Sequence, residues 1–203
     1  MFALPTDSPR PPNPVLVRTV DVAFSGGPVV RVTGPEPVAD FPAEPAGTLM
    51  SPRGDAAAVR FCWNIPKYDS CQVRLVRPGG AVQILTKSDV RRLLWTPDGQ
   101  YLIGAGANTV RLWNLAGGVR TAVPTPGQVH AGLSRHSSHI VGLAFRGRDL
   151  CVRAQDRWYG RDGQQARQSV SVTRYALPTL RALQTVSAPE GQEAPCHLPV
   201  TEP

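Results

Sequence analysis

Histidines are the first residues to consider for catalysis or metal binding, and the chain has four: His130, His136, His139 and His197. The pair His136-x-x-His139, with His130 nearby, could offer imidazole ligands to a metal. On an extended strand, however, residues three apart point to opposite faces. That geometry is poor for chelation unless the segment is a loop, so we expect no metal site and no cofactor.

The four cysteines are Cys62, Cys71, Cys151 and Cys196. Cys151 could join Cys196-His197 in a metal site, but no C-x-x-C spacing supports this. In a chain without a secretion signal, cysteines are more often reduced thiols than a disulfide framework. We therefore expect free thiols. Cys62 and Cys71 flank one predicted hairpin, however, and a disulfide across it is geometrically possible.

Motifs of the common enzyme classes are absent from the sequence. It contains no G-x-S-x-G, G-x-x-x-x-G-K-[ST] or H-E-x-x-H. Gly104-Ala-Gly106 does not predict a phosphate cradle, because no helix is predicted after it. We expect a protein that is not an enzyme.

A basic, aromatic segment is the strongest candidate for binding. Six arginines fall within 22 positions around Trp158 and Tyr159: Arg146, Arg148, Arg153, Arg157, Arg161 and Arg167. Arginine with exposed aromatics is typical of protein interface hot spots and of single-strand nucleic-acid platforms. The alternative is a solvated loop whose Trp158 packs back on the sheet edge. We predict a partner-binding site at Arg157, Trp158, Tyr159 and Arg161, with Trp63 and Tyr68 as a second one.

The composition favours an all-β domain. The chain has 203 residues, enough to bury a core. Its 21 prolines and 19 glycines leave few windows for a helix of three turns. The net charge of +7 comes from 22 Lys and Arg against 15 acids, and only Lys67 and Lys87 are lysines. Such a balance attracts nucleic acid, so a nucleic-acid-associated protein using an Arg-rich face is the alternative function.

The two ends differ in composition from the rest of the chain. Residues 1–14 are rich in proline and contain no apolar run of the length that a signal peptide needs. Residues 188–203 are rich in proline and glutamate. No window approaches the ~20 apolar residues of a membrane span. We expect a disordered leader over 1–14, a β-domain over 15–187, a flexible tail over 188–203, no membrane partner and a cytoplasmic protein.

The segment 89–124 predicts four short strands joined by three tight turns. The strands end at Trp95, Gly104, Leu115 and Val123, and the turns are Thr-Pro-Asp-Gly, Ala-Gly-Ala-Asn and Ala-Gly-Gly. An aromatic before Thr-Pro-Asp-Gly, followed by Thr-Val-Arg-Leu-Trp-Asn, resembles the repeat of the WD-repeat β-propeller family. Asn114 stands where that family usually has aspartate.

The resemblance implies structural roles and a function. Trp95, Trp113 and Asn114 would hold the blade together, and His136 lies where the family's structural histidine is found. Family members mostly act as protein-binding platforms, so the resemblance implies a non-enzymatic scaffold that binds a protein partner. A smaller alternative is an enzyme with its site in the central channel, near Asp89 and His136.

Two further copies of the unit are predicted. Pro52 and Pro97 are 45 residues apart, a spacing typical of these repeats. Leu49, Leu94 and Leu143 mark the same place in three units, and residues 15–33 predict a separate hairpin. In this interpretation Cys62–Ser70 is a loop and Gln155–Ser169 an insertion. The sequence therefore predicts a β-propeller-like array of about three blades plus an N-terminal hairpin, arranged as a small four-blade-like ring or as an incomplete one. Because a short arc would expose apolar faces, a homodimer that completes a ring is one expected partner.

Overall fold

The computed structural model describes residues 17–38, 41–65, 68–86, 90–126 and 130–188. Every regular element among these residues is a β-strand, which confirms the predicted all-β class. The predicted leader and nearly all of the predicted tail lie outside the described residues.

The strands form four separate antiparallel sheets, numbered here in chain order. Sheet 1 is the predicted N-terminal hairpin, and the other three are the predicted blades. Sheet 1 contains β1 (Thr19–Ala23) and β2 (Val29–Thr33); sheet 2 contains β3 (Ala43–Met50), β4 (Ala57–Ile65), β5 (Tyr68–Val76) and β6 (Val82–Thr86); sheet 3 contains β7 (Arg92–Trp95), β8 (Tyr101–Ala105), β9 (Val110–Asn114) and β10 (Val119–Ala122); sheet 4 contains β11 (Ser134–Arg146), β12 (Asp149–Tyr159), β13 (Gln165–Ala176) and β14 (Arg181–Ala188).

Each sheet buries a face against its neighbour. Phe61 belongs to the core between sheets 1 and 2, Trp113 to the core between sheets 2 and 3, and Leu150 to the core between sheets 3 and 4. In the part of the chain that the structure describes, no core joins sheet 4 to sheet 1. The sheets therefore form an open, blade-like arc, in which each interior sheet is stabilised by its neighbours.

The three predicted marker leucines lie together. Leu49, Leu94 and Leu143 come from β3, β7 and β11, the first strands of sheets 2, 3 and 4, and all three line one central cavity. Equivalent positions of the repeat therefore meet at the centre of the arc.

The outer face of sheet 1 differs from the expectation that the arc ends in apolar faces. Thr19 and Thr33 are exposed there, and the Arg31 side chain pairs with Asp21 at 2.8 Å. The inward positions, such as Val32, are buried. Strict alternation along β1 and β2 thus gives the first sheet one apolar face and one mostly polar face, and the predicted apolar end face is wrong at this end.

Candidate functional site

The predicted insertion Gln155–Ser169 is not an insertion. β12 and β13 stay paired through it, with one register shift between Trp158 and Tyr159, and only residues 160–164 form the turn between them. We call β12, β13 and this turn the long hairpin of sheet 4. Its polar sequence resembled a loop, but cross-strand pairing supplies the backbone hydrogen bonds that a loop would leave to water.

Trp158, predicted to be an exposed contact, is buried, with 3% of its surface accessible. Its indole Nε1 donates a hydrogen bond to Ser169 Oγ at 2.8 Å. The His130 ring meets it edge-on, with ring centroids 5.0 Å apart. Arg167 Nη1 lies 3.2 Å from Nδ1 of the same histidine. Trp158 therefore packs the hairpin, as in the alternative interpretation, and the predicted exposure is wrong.

The other three residues of the predicted site remain accessible. Arg157 and Arg161 are exposed, and Tyr159 is partly exposed. Arg157 points away from Trp158, because successive side chains of a strand alternate between faces. The predicted cluster is thus divided: Trp158 lies on the buried side of the hairpin, and Arg157 lies on the opposite face.

That opposite face carries a row of arginines. Since Leu150 and Val152 pack toward sheet 3, the alternate residues of β12 face away from it. We define the outer face of sheet 4 by Arg146, Arg153, Arg157, Arg174 and Asp149, with Cys151 among them. Arg174, which sequence reasoning missed, stands opposite Cys151 and pairs with Asp149 at 3.4 Å.

The outer face also buries apolar groups. Cys151 and Val172 are each 2% exposed, although they point away from sheet 3. Arginine stems on the same face can cover apolar neighbours, and the Nε atoms of Arg153 and Arg174 are themselves buried there. The result is a basic surface over a small apolar base.

The second predicted site, around Trp63 and Tyr68, also differs from expectation. The predicted loop Cys62–Ser70 lies largely within β4 and β5. Trp63 is 7% exposed, and its Nε1 donates to the carbonyl of Glu36 at 3.1 Å. The expected exposure of Trp63 is therefore wrong, while the side chain of Tyr68 lies outside the described residues.

Cys62 and Cys71 stand directly opposite each other on these strands and form a disulfide. The expectation of free thiols at these positions is therefore wrong. Direct pairing across two antiparallel strands brings the side chains together. Cys151, by contrast, is a buried free thiol.

Three of the residues with predicted structural roles are described in full. The Trp95 indole donates to the carbonyl of Leu49 at 3.0 Å, which ties sheet 3 to sheet 2. Trp113 packs so tightly over Gly104 that a Cβ there would lie 2.5 Å from the ring. The Asn114 carboxamide accepts the amide of Gly118 at 2.8 Å and closes the third turn. The side chain of His136 lies outside the described residues.

The central cavity has a volume of about 330 Å³. It is lined by Ala46, Gly47, Thr48, Leu49, Arg60, Arg91, Arg92, Leu93, Leu94 and Leu143. Four leucines and three arginines make up most of the described lining. Asp89, which the enzyme alternative placed at the channel, lies outside the described residues.

The described residues contain no group of three or more His, Cys, Asp or Glu placed to hold a metal ion. No helix long and apolar enough to cross a membrane occurs among them.

Comparisons with known proteins give a likeness of fold. No protein-family model matches the sequence, and no curated protein matches it. A structure of the Pyrococcus horikoshii acylaminoacyl peptidase is similar over 73% of this chain, with a TM-score of 0.50 and 9% identity. A structure described as the eukaryotic initiation factor is similar over 84% of it, with a TM-score of 0.48 and 10% identity. The chain spans 25% and 42% of those two chains. The peptidase likeness supports a fold class and no activity.

Proposed function

We propose that this chain is a protein-interaction module of the WD-repeat type that binds an acidic surface of a partner protein. The observation that carries the proposal is the outer face of sheet 4, where the described residues place four arginines beside Asp149. Arg157 is exposed on this face, and Arg146, Arg153 and Arg174 are partly exposed. Charge complementarity of this kind steers association and selects partners.

The position of Trp158 favours a protein partner over single-stranded nucleic acid. Platforms for single strands stack bases on accessible rings. Trp158, the larger of the two rings in the predicted site, is buried against His130 and Ser169. Tyr159 alone remains partly exposed. The contact residues of the proposal are thus Arg157, Tyr159 and Arg161, with Trp158 holding the strand that presents them.

A charge reversal at Arg157 tests this proposal against a matched control. Arg157→Glu changes the outer face, whereas Arg120→Glu makes the same change at an exposed position of β10. Partners captured on the wild-type chain would be identified, purified and titrated by calorimetry. We expect Arg157→Glu to weaken binding at least tenfold and Arg120→Glu to change it less than twofold.

Equal affinity of the two variants for every purified partner would contradict the proposal. A second arm titrates a fluorescent single-stranded oligonucleotide at low and at physiological salt. Oligonucleotide binding that falls steeply with salt and is lost in Arg157→Glu would assign the face to nucleic acid instead.

A further inference from the structure

The turn that follows the first strand differs in length between the three four-stranded sheets. It comprises residues 51–56 in sheet 2 and residues 96–100 in sheet 3, but only residues 147–148 in sheet 4. The two longer turns touch each other, since a Cβ placed on Gly99 would lie 2.8 Å from Arg53 Cγ. Between the turns of sheets 3 and 4 there is instead a cavity of about 530 Å³. We call this space between residues 96–101 of sheet 3 and residues 145–148 and 177–178 of sheet 4 the turn cavity.

The apolar side chains of the turn cavity are held by the core behind them. Tyr101, Phe145 and Leu177 line the cavity, and all three also pack against the core between sheets 3 and 4. Each of them is only partly buried. Two exposed prolines, Pro97 and Pro178, line the cavity as well. The volume falls within the roughly 300–1,000 Å³ of ligand pockets, so the cavity has room for a large apolar side chain.

Hydrogen bonds fix the turns that border the cavity. In sheet 3, Thr96 Oγ1 and the amide of Gln100 both donate to Asp98 Oδ1, at 2.6 and 3.0 Å. In the turn between β13 and β14, the amide of Leu180 donates to the carbonyl of Ala176 at 2.9 Å. The walls of the cavity are therefore formed in the free chain, which lowers the ordering cost of binding.

Charged side chains of opposite sign lie on the two sides of the cavity. Asp98 belongs to the turn of sheet 3 and Arg148 to the turn of sheet 4; both line the cavity and both are exposed. Hydrogen bonds to charged groups are stronger than neutral ones, and charges around a binding site select the partner and fix its register. A complementary ligand has an apolar centre between a cation and an anion.

We propose that the turn cavity binds an extended peptide segment of a partner protein, with a large apolar side chain against the aromatic lining, a basic residue at Asp98 and an acidic residue at Arg148. In an extended chain, alternate side chains point to the same side, so residues i, i+2 and i+4 supply these three groups. A peptide is favoured over a small molecule because the two charges come from different sheets, on either side of the apolar lining. The site shares no residue with the outer face of sheet 4 and does not depend on the proposed function.

The test titrates the whole chain with the peptide acetyl-Arg-Gly-Phe-Gly-Glu amide and with the reversed sequence, because either chain direction can match the charged pair. Backbone amide NMR signals measure the affinity and locate the site. A peptide with alanine in place of phenylalanine tests the apolar contact, and free phenylalanine tests a small-molecule ligand. Arg148→Glu reverses a charge at an exposed turn position, and Arg120→Glu makes the same change at an exposed position of β10.

We expect one of the two charged peptides to give saturable shifts of the amides of Gly99, Tyr101 and Gly147, and the alanine peptide to bind at least tenfold more weakly. Arg148→Glu should bind the charged peptide at least threefold more weakly than the wild-type chain does. It should bind a peptide with arginine in place of the glutamate more tightly than the wild-type chain does. Arg120→Glu should change both affinities less than twofold.

Four outcomes would overturn the proposal. They are no saturable shift with either charged peptide, equal binding of the phenylalanine and alanine peptides, equal affinities in Arg148→Glu and Arg120→Glu, and free phenylalanine bound as tightly as the peptides. Peptide binding that is lost in Arg157→Glu but kept in Arg148→Glu would overturn it too, and would place the peptide on the outer face of sheet 4.

Discussion

Two hairpins of this molecule place a tryptophan near their tips and stabilise it differently. In sheet 2, β4 and β5 are joined by the Cys62–Cys71 disulfide, and Trp63 donates to the backbone of Glu36. In sheet 4, β12 and β13 have no covalent link; Trp158 donates to Ser169 and packs on His130. An isolated two-stranded hairpin is marginal in water. A projecting hairpin therefore needs a further stabilising interaction, and side-chain packing can take the place of a disulfide bond.

Removal of each tryptophan is expected to have the largest effect. Trp63→Ala and Trp158→Ala should each lower the free energy of unfolding by about 3–5 kcal/mol, because each deletes a large buried side chain. The two should differ locally. In Trp63→Ala the disulfide should keep β4 and β5 paired. In Trp158→Ala, β12 and β13 lose the packing that holds them together and should separate between Gln155 and Ser169.

Urea unfolding measures the global loss, and amide hydrogen exchange measures the local one. We expect exchange to accelerate at the tip of the long hairpin in Trp158→Ala and to remain slow around Cys62 and Cys71 in Trp63→Ala. Tyr159→Ala, a neighbouring change at a partly exposed position, is the control. Equal loss of protection in both tryptophan variants would show that the disulfide contributes nothing to the local order.

Loss of the disulfide is expected to have an intermediate effect. It closes a loop with a sequence separation of 9, and a loop of this size stabilises by about 2–3 kcal/mol in the chain-entropy description. The double variant Cys62→Ala/Cys71→Ala should unfold at correspondingly lower urea. When the double cysteine variant is combined with Trp63→Ala, β4 and β5 should separate, as β12 and β13 do in Trp158→Ala.

Cys151→Ala is the control for this prediction, because that thiol is buried but unbonded. Its loss should not change hydrogen exchange in β4 and β5. If the double cysteine variant unfolds at the same urea concentration as the wild-type chain, the disulfide does not stabilise sheet 2.

Sequence reasoning succeeded in sheet 3 and failed at the tips of the two hairpins compared above. Sheet 3 was predicted nearly strand for strand, because Thr-Pro-Asp-Gly and Ala-Gly-Gly are turn sequences with a local cause. The strand ends beyond Ala154 and Phe61 were missed, because polar residues there resemble a loop. Their strand conformation depends on cross-strand partners such as Ser169 and Ser70, which no local pattern reveals.

The candidate sites show the same limit. Arg157 and Arg161 could be chosen from composition, and both are exposed. The burial of Trp158 could be given only as an alternative, since its neighbour His130 is distant in sequence and comes from outside the hairpin. Arg60 donates to the carbonyls of Ala46 in β3 and of Arg91 just before β7, a contact between repeats that the sequence does not specify.

The smallest effect is expected in sheet 3, where a carboxylate rather than a tryptophan or a disulfide holds a turn. Thr96 Oγ1 donates to Asp98 Oδ1 at 2.6 Å, and the amide of Gln100 donates to the same oxygen at 3.0 Å. The Thr96 hydroxyl first, and then this amide, lower the pKa of Asp98 below its usual value. A carboxyl whose pKa is lower in the folded chain stabilises it above its unfolded pKa, about 3.9, and this contribution is lost as the pH falls.

Asp98→Asn should therefore cost stability at pH 7 and progressively less as the pH falls through 4 toward 3. Because the carboxylate is exposed, we expect the loss at pH 7 to stay below about 1 kcal/mol. Urea unfolding at pH 7, 5 and 3 measures it. Cys62→Ala/Cys71→Ala is the control, because neither substitution touches a carboxylate and its cost should not follow this pH dependence. If Asp98→Asn lowers the free energy of unfolding by the same amount at pH 7 and pH 3, the backbone holds the turn and the ionised side chain does not contribute.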